Sequence, residues 1–168
     1  EAKMVQPDED NMLAVCTYMT KVALDARIID PEAEEYDGGK VALCAEKIIE
    51  INKANPGTAQ AVFCDTNTPK KDAFSVYQAL RERLVRSGEF TENEIAFVHD
   101  AANDKQRLAM FEKVNNAEIK IIIGSTGKLG TGVNIQRKLS ALHHLDAPYR
   151  PSDIEQRNGR GIRQGNEL

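Results

Sequence analysis

A chain of 168 residues that is 41% hydrophobic can bury one sizeable core, so a single domain is the default reading. Its net charge of −4 argues against a protein that coats nucleic acid by bulk electrostatics. Cys16, Cys44 and Cys64 are odd in number, far apart and set in apolar surroundings; this excludes a disulfide scaffold and points to buried thiols in a reducing, cytoplasmic setting.

Residues 1–10 are polar and acidic and read as an irregular lead-in. Over 11–29, Met12, Cys16, Met19 and Ala23 recur at helical spacing, with Val15 and Val22 widening the stripe, which predicts an amphipathic helix. Asp30-Pro31, Glu32, Glu34, Glu35 and Asp37-Gly-Gly39 predict a solvated loop. A second helix is expected over 40–55, with Val41, Cys44, Ile48 and Ile51 on its stripe and Asn55-Pro-Gly57 ending it. Residues 1–57 therefore read as a helical segment that packs on, or leads into, a domain beginning at residue 58.

From residue 58 the pattern changes to short apolar runs alternating with longer helical periods. Strands are expected over 59–64, 95–99, 119–123 and 141–145, and helices over 74–87, closed by Gly88, and 104–115, with Leu108, Phe111 and Val114 inward. The run Ile119, Ile121, Ile122, Ile123 reads as a strand buried on both faces. Such alternation predicts an α/β fold with a doubly wound, mostly parallel sheet and helices on both faces, joined by right-handed crossovers. Ligands then bind beyond the carboxyl ends of the strands.

Two stretches past those ends carry most of the chemistry. The first is a loop with glycines at 124, 127, 130 and 132 and hydroxyls at Ser125, Thr126 and Thr131. It is not a Walker A loop, because Leu129 follows Lys128 and Ile122 stands where the first glycine should be. The glycine intervals also miss the dinucleotide fingerprint. What remains is a glycine-rich strand-to-helix turn whose amides and hydroxyls can meet a phosphate, or a tight turn without a ligand.

The second stretch comes after Asp146-Ala-Pro148. Ser152-Asp-Ile-Glu155 has the signature of a capped helix start, and the helix carries Gln156, Arg157, Arg160 and Arg163. At roughly 100° per residue, Gln156, Arg160 and Arg163 fall within about 60° of one another, a fork of donors suited to a polyanion or else a solvated basic face. Residues 124–168 hold seven Lys/Arg against four acids, a net +3, and leave −7 on the rest. A polyanion should meet the C-terminal third.

Gln156-Arg-Asn-Gly-Arg160-Gly-Ile-Arg163 resembles motif VI of superfamily 2 helicases, and Gly124-Ser-Thr-Gly-Lys-Leu-Gly-Thr-Gly-Val-Asn134 resembles their motif V. Their order is similar to the second RecA-like lobe of the Swi/Snf branch, with Arg163-Gln-Gly165 like that branch's closing residues and Gly39-Lys40 like the pair that opens the helix before the lobe's first strand. Gly159 and Ile162 depart from it, standing where an acid and a histidine are common. The resemblance implies a RecA-like lobe over 58–168, truncated at its C-terminal end, taken from a longer polypeptide. It implies Arg160 and Arg163 as catalytic arginine fingers; Gly130, Gly132, Asn134 and Gln156 with those arginines at the nucleotide; and Asp65, Thr66, Ser125, Thr126 and Lys128 at the nucleic acid. The cofactor implied is ATP with Mg²⁺, held mainly by a first lobe of the same polypeptide, because this chain has no Walker A lysine or acidic pair to match. The nucleic-acid partner implied is DNA, with RNA left open.

Two other readings stay open: a motor-derived lobe that only binds nucleic acid, and a small-molecule enzyme on a nucleotide-binding α/β fold. The intact Gln156, Arg160 and Arg163 face speaks against the first, and the missing acid/base or nucleophile constellation against the second. His99, His143 and His144 have no partners at ligand spacing, so no metal site of the chain's own is expected. No signal peptide and no apolar run of membrane-spanning length is visible, and no membrane partner is expected.

Overall fold

In the computed structural model, which describes residues 11–70, 73–129, 134–148, 150–159 and 166, Ala59–Phe63 (β1) is buried at all five positions and lies at the centre of a sheet. Ile95–Phe97 (β2), Ile121–Gly124 (β3) and Leu139–His144 (β4) complete the order β2-β3-β1-β4, with every strand pair parallel. The helices are Met12–Leu24 (α1), Lys40–Ala54 (α2), Val76–Arg86 (α3), Asp104–Asn115 (α4), Thr126–Leu129 (α5) and Pro151–Asn158 (α6). The α/β, doubly wound parallel sheet expected from the sequence is what the chain forms.

Successive strand residues point to opposite faces, and two apolar layers result. Val62, Ile121 and Ile123 pack with Val41, Ala45 and Ile48 of α2 and Leu80 and Leu84 of α3. Ala61, Phe63 and Ile122 pack with Phe111 and Val114 of α4 and Leu129 of α5. Each Val, Leu, Ile or Phe side chain among them contributes about 1.5–3 kcal/mol on burial. Between β1 and β4 the register shifts by one residue; the extra residue, Ser140, donates to the Ala59 carbonyl at 3.1 Å and accepts from the Thr58 hydroxyl at 2.8 Å. Buried Gln60 is satisfied on both sides, by the Ile48 carbonyl at 3.0 Å and by His143 Nε2 at 2.7 Å.

Several local expectations change. The helix of the first segment stops at Leu24 because Asp25 leaves helical geometry and caps a 3-10 turn, Ala26–Ile28, holding Arg27 through both carboxylate oxygens at 2.9 and 2.8 Å. Its apolar stripe is not buried: Met12 is 78% and Met19 63% exposed, and only Leu24 of this helix is buried. Cys16 is accordingly exposed and Cys44 half-buried, while Cys64 alone is fully buried, its thiol pushed up to about 12 by burial. In α4 Phe111 and Val114 face inward but Leu108 is 62% exposed. In α2 the buried set is Val41, Ala42, Ala45 and Ile48, one step round from the expected stripe. The acidic loop is tethered to α3, with Arg83 on Glu35 and Asp37 at 2.9 and 2.7 Å and Arg86 on Glu35 at 3.2 Å. β2 gives way after Phe97 to a 3-10 turn, Val98–Asp100.

Candidate functional site

Three strand ends deliver the site. β1 ends before Asp65 and Thr66, β3 before Ser125 and α5, and β4 before Leu145 and Asp146; because β1 sits between β3 and β4 and all three run parallel, the three loops meet at the carboxyl end of the sheet. Gly124 closes β3 where a Cβ would lie 2.7 Å from Leu129 Cγ and 3.2 Å from Val98 Cγ2. Glycine is required there because the α5 turn folds back directly onto the strand.

α6 approaches the same end, but it does not start on the expected capping box. It begins at Pro151, with Arg150 at the N-cap and no side-chain cap bond; proline at the first helical position has no N–H to satisfy and a preset φ. The helix ends at Asn158, capped by Gly159. Gln156 is exposed, and Arg157, one residue on, turns inward and is wholly buried.

The Arg157 guanidinium is the hub of the site. Nη2 donates to Asp65 Oδ2 at 2.7 Å and Asp146 Oδ1 at 3.2 Å, Nη1 to the Asp146 carbonyl at 2.9 Å and His144 Nδ1 at 3.4 Å, and Nε to the Thr126 hydroxyl at 2.7 Å. Its face lies 5.3 Å from the Phe63 ring centroid, and Phe63 stacks on His144 at 5.9 Å. His144 Nε2 faces Asn158 Oδ1 at 3.0 Å, so the neutral tautomer with its proton on Nε2 satisfies both ring nitrogens.

The two carboxylates extend the network. Asp146 Oδ2 accepts the Asp65 and Thr66 amides at 2.7 and 2.6 Å and the Thr66 hydroxyl at 2.7 Å. Asp65 accepts the Thr126 amide at 2.6 Å and its hydroxyl at 2.6 Å. Burial pushes the Asp65 carboxyl up, but the Thr126 hydroxyl and amide and the Arg157 guanidinium outweigh it and hold the group below its ordinary value.

The structure thus gathers Asp65, Thr66 and Thr126, three of the residues expected at nucleic acid, and commits their side chains to one another and to Arg157 and Asp146. Ser125 is half-buried and Lys128 exposed on the same turn. Asn134 is exposed, its carbonyl accepting from Asn115 Nδ2 at 2.8 Å. Gly130, Gly132, Arg160 and Arg163 lie outside the described residues. Sequence reasoning passed over Arg157, Asp146 and His144 as site residues. A usable signal existed: Asp65 and Asp146 each lie just past a strand, and Arg157 lies about 100° round the helix from the face that drew attention.

Among the described residues no group of three or more His, Cys, Asp or Glu is placed to hold a metal ion, and no helix is long and apolar enough to cross a membrane. Residues 40–165 match the helicase conserved C-terminal domain, and the chain belongs to that family. It is also similar to the Defense against restriction protein B of Escherichia phage P1, 44% identical over 146 residues, an alignment that takes in 82% of this chain and 6% of the phage protein. The chain therefore spans a small fraction of that relative's length.

Proposed function

We propose that the chain is the second motor lobe of an ATP-dependent DNA helicase or translocase of Swi/Snf-like type. Family membership gives the class, and the observation that carries the reading is the convergence on Arg157 of the motif-V-like turn and the motif-VI-like helix at the carboxyl ends of the strands. In this role Arg160 and Arg163 close over the γ-phosphate as arginine fingers, a contribution of about 10³–10⁵ in rate. Gln156 and Asn134, with Gly130 and Gly132, face the nucleotide. Ser125 and Lys128 meet the nucleic-acid backbone, positioning it without reading sequence, while Asp65, Thr66 and Thr126 hold the turn in shape.

Mg²⁺ does not fit the two carboxylates of this network. Asp65 is committed to Thr126 and Arg157, and Asp146 to Arg157 and the Asp65 and Thr66 amides. The metal and the triphosphate belong with a first lobe elsewhere in a longer polypeptide, a placement supported by the small share of the phage relative that the match covers.

The test is ATP turnover of the full-length protein with DNA. Arg160→Lys keeps the charge and loses the planar fork; it is expected to stay folded, to bind DNA nearly as before and to lose about 10³-fold in turnover or more. The lobe alone is expected to turn over no ATP. Near-normal turnover in the lysine variant overturns the finger assignment.

A further inference from the structure

We infer that Arg157 is a positioning residue that couples the turn at residues 124–129 to α6, so that nucleic acid on the turn and the arginines that follow α6 act on each other through one guanidinium. This role rests on the motor-lobe reading and adds to it the residue that links its two halves.

The first observation is how α6 is attached. Arg157 is its only buried residue, and Ile154, its one large aliphatic side chain, is 40% exposed. Between α6 and α2 lies an open cleft of about 750 Å³, lined in part by Leu43, Leu142, Pro148 and Ile154. Apolar packing, which would hold the helix over a broad surface, is thin here, so the orientation of α6 is set by hydrogen-bond geometry, chiefly the five bonds of Arg157, with Asn158 adding one to His144 at the helix end.

The second observation is where those bonds go. Thr126 belongs to the motif-V-like turn, Asp65 lies just past β1, and Asp146 just past β4, so one guanidinium ties three loops to a fourth element. Each carboxylate then grips a neighbouring loop in turn, Asp65 the Thr126 amide and Asp146 the Asp65 and Thr66 amides. A shift of the turn cannot leave α6 where it is without breaking charge-assisted bonds to a guanidinium that is itself wholly buried. A buried arginine also carries a desolvation penalty that a leucine or methionine would avoid. A side chain needed only for packing has no use for that penalty; one that must transmit position between segments gains directional bonds from it.

The experiment measures ATP turnover of the full-length protein without DNA and at saturating duplex DNA, in the wild type, Arg157→Lys, Asp65→Asn and Arg160→Ala. The readout is the ratio of stimulated to basal rate, which does not depend on how much of each preparation is folded. Saturation removes any effect of affinity. Arg157→Lys and Asp65→Asn are expected to lower the ratio about fivefold or more, the lower range of measured coupling between sites. If the buried lysine prevents folding, Asp65→Asn decides alone, because it leaves four of the five Arg157 contacts in place. A wild type without turnover, or turnover retained by Arg160→Ala, overturns the motor-lobe reading and this inference with it. A stimulated wild type silenced by Arg160→Ala, beside a wild-type ratio in folded Asp65→Asn, overturns the coupling role alone.

Discussion

The two histidines at the end of β4 show how one strand sets opposite fates for neighbouring residues. His144 lies where Arg157 and Asn158 meet it, whereas His143 turns to the α2 side and donates to Gln60, which is itself buried. Burial, with His144 and Lys47 adding to it, lowers the His143 pKa to about 4. The folded chain therefore resists a proton that the unfolded chain accepts near pH 6.5. Stability should be full above that value, fall as the pH drops from about 6.5 to about 4, and stop falling on this account once the folded form is also protonated, a total of up to about 3 kcal/mol. Asp65 works in a different window: its lowered pKa gives stability that is present above its ordinary value of 3.8 and is lost as the pH falls through its folded value. Urea titrations from pH 7 to 4 on the wild type and His143→Gln check this, and an equal slope in both would refute it.

At the scale of elements, α1 and α2 contrast. Both carry an apolar stripe at helical spacing, but α2 lays Val41, Ala45 and Ile48 on the sheet while α1 leaves Met12, Leu13, Tyr18 and Met19 more than half exposed. Exposed positions away from special features change stability by about 0.5 kcal/mol or less, and aliphatic truncations in a core cost about 2–5 kcal/mol. Met19→Gln should therefore leave the urea midpoint of this chain nearly unmoved, and Ile48→Ala, at a position with no exposure, should lower it sharply. Equal losses would mean that α1 is packed in solution.

Across the whole molecule, charge is divided. The C-terminal third is basic and the remainder acidic, so a polyanion is drawn to that third of the chain rather than to the rest. With two or three phosphate contacts, binding of duplex DNA to the lobe should be weak and should fall about ten- to fortyfold between 50 and 200 mM salt. A fluorescence titration at both salt concentrations, with two unrelated sequences, measures it. Affinity that holds as salt rises, or that depends on sequence, would place recognition outside these contacts.

The sequence by itself determined the alternation of strands and helices, the parallel class and the two motif-bearing stretches, because periodicity and turn chemistry are local and every relevant residue lies within a few positions of the next. Ala59–Phe63, Asp104–Asn115 and Ile121–Gly124 all fall within or beside the stretches where the pattern put them. Only the tertiary structure decided which stripes are covered, since burial depends on what arrives opposite: the stripe on α1 is as regular as that on α2 and meets no comparable surface among the described residues. It also decided that Arg157 turns inward. Arg157 is held by Asp65, 92 positions away in the chain, and by Asp146, 11 away, and their meeting follows from a strand order in which β1 lies between β3 and β4. No local pattern encodes that order, because it is set by how the crossovers lay the helices over the two faces of the sheet.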